Sequence, residues 1–247
     1  MEHRQLNLVE VQSRMPLIHT IIRKLTGPKC PVSADDKNWI ETRLRWLQGQ
    51  FGGVRLDFPV LKPTFKIFPR TWNGSVKECS DLLTILCEYM DIPRESVDLR
   101  FFEGGQDPLR HSLPSYELSE SGAAGMYHGR STGGKFIISV SGEQRTQPDR
   151  LIATMCHELG HVLLLGGNRI RGDEEDHEQL TDLLTVYFGA GIFTANAALQ
   201  FEQWTDVGTQ GWRTSRHGYL SEAQLGYALA CYSWLRRDRE RQGDCEI

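Results

Sequence analysis

The stretch from Pro148 to Leu165 leaves the chain little conformational choice. Ile152, Met155, Cys156, Leu159, Val162 and Leu163 recur at three- and four-residue spacing, and Gly166-Gly167 closes the run. Pro148 suits a first helical turn, so the pattern predicts a helix buried along one face. Set into that helix is His157-Glu158-Leu159-Gly160-His161. Residues four apart share a face, so both imidazoles reach toward one point. A shuffled chain with eight His and eighteen Glu would contain about 0.02 such matches. A solvated His pair is the competing reading, and a buried helix rarely carries two unpaired imidazoles.

Two imidazoles at this spacing form a metal-ligand pair, and Glu158 lies about one residue off their axis. From there it can take a proton from a water activated by the metal without ligating the metal itself. A third ligand is expected from a second helix, predicted from near Asp176 to about Phe188. Its Glu178 follows His161 after sixteen intervening residues and shares a face with Asp182. Glu178 can complete the metal shell while Asp182 accepts a hydrogen bond from the far nitrogen of His157. His177 is the rival ligand, turned about 100° away on the same helix. The neighbouring Asp173, Glu174, Glu175 and Asp176 read as a solvated acidic turn favoured by the helix dipole.

His157-Glu158-x-x-His161 followed by Glu178-x-x-x-Asp182 resembles the gluzincin zinc metallopeptidases, including their small intracellular members. The resemblance covers about residues 126–193. It implies Zn2+ held by His157, His161 and Glu178, with Glu158 as general base and Asp182 behind the ligands. It also implies a protein or peptide substrate bound as an added strand on an edge strand preceding the helix, for which Phe136–Val140 stands in place. The longer metzincin pattern fails, since Leu164 and Gly167 stand where Gly and His are needed. Catalysis of this kind also wants a donor to the developing oxyanion. His217 and Tyr219 are candidates from the loop before the last helix, and Tyr127 and His128 from beside the strand. The alternative function is a zinc-binding sensor or interaction module without proteolysis. An intact Glu158 argues against it, because a structural site has no use for a base and prefers more Cys ligands.

Composition bounds the rest. With 28 basic and 32 acidic side chains in 247 residues, the chain lacks the basic excess of a nucleic-acid binder. Cys30, Cys79, Cys87, Cys156, Cys231 and Cys245 form no CxxC pair and read as reduced thiols. The first residues show no apolar leader, and the expected location is cytoplasmic. Leu183 to Phe201 is nineteen residues without a formal charge, but Gly189 and Gly191 and several polar residues favour a buried, broken helix over a membrane span. The sequence carries no sign of oligomeric state.

Along the chain, the pattern predicts an α+β fold: a small N-terminal α/β region, then a zincin-like helical catalytic domain with a short edge-strand sheet. Residues 1–103 form the N-terminal region, 104–125 a Gly/Pro/Ser-rich linker or active-site loop, and 126–247 the catalytic part. Helices are expected up to Leu25, from Ser33 to about Gln50, from the Ser75-x-x-Glu78 capping box to about Met90, and from Ser221 to the basic run at 236–239. Residues 54–69 read as extended, and Val97–Phe102, Met126–His128 and Phe136–Val140 as strands. Gly129 to Lys135 fits a phosphate-loop spacing, but Phe136 and a strand follow where Ser/Thr and a helix are required, so a hairpin turn is expected.

Overall fold

Local signals choose the elements. In the computed structural model, which describes residues 29–64, 71–103, 124–205 and 219–243, Ser33 caps helix α1 (Ala34–Phe51) by accepting from the Asp36 amide. Ser75 and Glu78 cap helix α2 (Val76–Tyr89) reciprocally. Strands β1 (Val97–Phe102), β2 (Gly125–Arg130) and β3 (Phe136–Ser141) follow. Helix α3 (Pro148–His161) starts on its proline and ends in a π-turn, Val162–Gly166. Helices α4 (His177–Tyr187), α5 (Gly191–Thr205) and α6 (Glu222–Gly243) complete the described chain. The fold is mixed α+β, as the pattern predicted.

The sheet has the order β1-β3-β2, with β1 parallel and β2 antiparallel to β3. Phe136–Ser141 is therefore the central strand and not an edge. The reason is visible in the residues: Phe136, Ile137, Ile138, Ser139 and Val140 are all buried, the signature of a strand covered on both faces. The edge beside α3 is β2, joined to β3 through a turn in which the Ser131 amide donates to the Lys135 carbonyl and Gly134 has φ +81°. The Gly129–Lys135 run is thus a hairpin connection.

One apolar cluster unites the elements. Leu151, Ile152, Met155, Cys156 and Leu159 of α3 are fully buried and share it with Ile40, Leu44 and Leu47 of α1, Leu83 and Leu86 of α2, Ile138 and Val140 of β3, and Leu183 and Leu184 of α4. The cluster draws on elements from both sides of the 104–125 segment.

Three expectations change. Residues 53–57 form a single 3₁₀ turn after Gly52 (φ +79°) where extended chain was predicted, and 58–64 pair in no sheet. Pro59 and Pro63 remove the amides a ladder would need. Helix α6 continues through the basic run to Gly243, because arginines are good helix formers and their charge alone does not end a helix. The Pro148–Leu165 helix loosens into a π-turn directly after His161. The apolar run from Leu183 does break at Gly189 (φ +84°), and among the described residues no helix is long and apolar enough to cross a membrane. Cys79, Cys87 and Cys156 are buried thiols, Cys231 half-buried and Cys30 exposed. The helix expected up to Leu25, residues 65–69, most of the 104–125 segment (104–123) and Cys245 lie outside the described residues.

Candidate metal centre

Helices α3 and α4 pack so closely that their polar faces share a space. Gly160 permits this: a Cβ there would lie 2.8 Å from Thr181 Cγ2. Across that contact His157 Nε2 is 3.1 Å from His161 Nε2 and 3.0 Å from Glu178 Oε2, and His161 Nε2 is 3.4 Å from the same oxygen. A tetrahedral ion with bonds of about 2.0–2.1 Å needs ligand atoms roughly 3.3–3.4 Å apart. The three atoms nearly form one face of such a tetrahedron, so His157, His161 and Glu178 can hold a metal ion.

The donor chemistry agrees with the distances. His157 Nδ1–H donates to Asp182 Oδ1 at 2.9 Å. Thr181 Oγ1 gives its own proton to the His177 carbonyl at 2.7 Å and so accepts from His161 Nδ1–H at 3.3 Å. In the neutral forms that a metal ion requires, these bonds leave a lone pair on each Nε2, facing the other and a carboxylate. Three acceptors converging in a buried place call for positive charge. Burial opposes charge on His157, yet the carboxylates of Asp182 and Glu178 outweigh it and hold the imidazole well above its usual range. Burial likewise opposes ionisation of Glu178, but His161, His157 and His177 hold its carboxyl far below the ordinary carboxylate range. Burial drives His161 down, toward the neutral form that a ligand requires.

Glu158 takes the adjoining position. It is 4% exposed, has no hydrogen-bond partner among the described residues and feels the charges of His157 and Glu178. Burial pushes its carboxyl up to about 8; a dication beside it would pull that value back down. The edge strand closes over it at Gly125, where a Cβ would lie 2.7 Å from Glu158 Oε1.

Of the remaining predicted residues, Asp182 is 4% exposed and accepts from two directions, from His157 and from the Leu220 amide at 3.0 Å. That second bond pins the chain next to Tyr219, whose ring centroid is 5.3 Å from that of His157. Tyr127 stacks on His161 at 6.0 Å. His128 instead pairs with Ser139 Oγ at 2.9 Å inside the sheet. His177 uses Nδ1 on the Glu174 carbonyl and places Nε2 3.2 Å from Glu178 Oε1, beside the triangle but outside it. His217 lies outside the described residues. The solvated-turn reading fails for Asp176, whose carboxylate is tied to Trp39 and Arg43 of α1. Thr181, Gly125 and the Leu220 amide were not legible as site components, since nothing in a sequence shows which neighbour such a group will face. A separate cavity of about 470 Å3, lined by residues including Val60, Val186, Leu229 and Tyr232, contains none of these groups.

No family model, curated protein or solved structure matches the chain.

Proposed function

We propose that the chain is a zinc metallopeptidase of gluzincin type, hydrolysing a peptide bond at the His157–His161–Glu178 centre. The single observation that carries this reading is the pairing of a ligand triangle with Glu158, a buried carboxylate with no hydrogen-bond partner among the described residues. Zinc suits two imidazoles and one carboxylate, and it supplies Lewis acidity that acidifies water and polarises a carbonyl.

The chain's own groups do the rest. Glu158 takes a proton from the attacking water and returns it to the departing amine, so the proton balance closes on one residue. Tyr219, pinned beside His157 through Leu220 and Asp182, supplies a hydroxyl to the oxyanion. The free side of β2 receives an extended peptide as an added strand; among the described residues β2 pairs on one side only, and Gly125 brings it against Glu158. Asp182 holds the His157 tautomer throughout.

The test is a mixed peptide pool incubated with zinc-loaded protein, with new amino termini counted. Cleavage that stops on chelation and returns with added zinc supports the reading. Stoichiometric zinc without new termini contradicts it and favours the sensor or interaction module.

A further inference from the structure

Helix α4 begins at the residue after Asp176, and Glu178 lies in its first turn. An aspartate at this boundary normally accepts a hydrogen bond from an amide of that turn, which stabilises the helix end. Asp176 makes no such cap. Its Oδ2 instead accepts from Trp39 Nε1 at 2.7 Å and from Arg43 Nε at 2.8 Å, while Oδ1 accepts from Arg43 at 2.8 Å. Arg43 also reaches Glu174 at 3.5 Å. The Asp176 side chain is about one-fifth exposed and that of Arg43 about one-quarter, so water screens the fork only in part. A local cap has been replaced by a tie across more than 130 residues of sequence.

We infer that Arg43 and Trp39 are positioning residues for the metal centre, acting through Asp176 on Glu178. The first turn of a helix is where fraying starts, and the ligand from α4 stands in that turn. An uncapped turn would let Glu178 Oε2 drift from the two imidazoles. The fork from α1 holds the turn from outside and fixes where the carboxylate points. Helix α1 is thereby part of the site although it contributes no ligand. The inference deepens the proposed metallopeptidase reading and rests on it.

The test measures zinc affinity of the full chain by competition with a chromophoric chelator, alongside the visible spectrum of the cobalt-substituted protein. Arg43→Ala and Asp176→Ala are each expected to weaken zinc binding about tenfold, the lower end of what outer partners of metal ligands contribute. The double variant should be no weaker than either single one, because both remove the same tie. Arg43→Lys should recover only part of the loss, since an ammonium cannot make the two-pronged contact. The cobalt bands of Arg43→Ala should shift, which loosened packing elsewhere would not produce. Tyr227→Phe is the control: it removes the Tyr227 to Glu41 bond that ties α6 to α1 and should leave zinc affinity unchanged. In metal-free protein, amide exchange at 178–180 should quicken in Arg43→Ala, a readout independent of metal. Wild-type affinity in Arg43→Ala, or an equal loss in Tyr227→Phe, overturns the clamp alone. A wild-type chain that binds no zinc overturns the clamp and the metal reading together.

Discussion

Asp182 shows how one side chain can serve a ligand and the chain beyond it. One oxygen fixes the His157 tautomer and the other holds the Leu220 amide. In Asp182→Asn the charge is lost and one of the two acceptors becomes a donor facing another donor. Zinc affinity is expected to fall 10–100-fold, measured by chelator competition. The two residues that compete as third ligand separate as clearly. Glu178→Ala should abolish stoichiometric zinc, whereas His177→Ala should retain it, because His177 Nδ1 is engaged by the Glu174 carbonyl and Nε2 faces Glu178 rather than the imidazoles; metal analysis of the two purified variants decides. His157 and His161, and likewise Glu178 and Asp182, were legible because helical periodicity puts each pair on one face, with Glu158 beside the first pair; that the two faces meet is set by packing at Gly160. Asp176 was misread for an equally physical reason: composition makes an acidic run look solvated, and only the fold brings an arginine to it.

Between elements, the site depends on how near α3 comes to its neighbours. Gly160 looks like an indifferent position inside the motif, yet it is where α3 meets α4. Gly160→Ala places a methyl 2.8 Å from Thr181 Cγ2, and Thr181 in turn holds His161. Overpacking of this kind costs about 1–3 kcal/mol; equilibrium denaturation should show that loss together with weaker zinc binding. Helix positions, the capping box at Ser75 and Glu78 and the hairpin were readable from local chemistry. The place of β3 in the sheet was not, because strand order depends on long-range pairing. A continuous apolar run does signal a strand covered on both faces, and Phe136–Val140 carried that signal.

Across the whole molecule, α3 and α4, which carry the candidate ligands, share one core with α1 and α2, so a metal bound between them would be coupled to folding. A ligand that binds only the folded state stabilises it by about 2.7 kcal/mol at a hundredfold excess over Kd. For a chain of this size that corresponds to about 5–10 °C in Tm. Chelation should therefore lower Tm by that amount, and zinc should restore it; equal Tm values in both states would show that the triangle binds no metal of consequence. The acidity of the chain has a similar geography. Asp173, Glu174, Glu175, Asp176 and Glu178 hold five of its negative charges within six residues, where one acid anchors α1 and another faces the imidazoles. The central claim is that Glu158 does chemistry at a metal it does not bind. Peptide hydrolysis by wild-type and Glu158→Gln protein at matched zinc content tests it most directly. The account predicts equal zinc in both and a rate at least about 100-fold lower in Glu158→Gln; equal rates would contradict it.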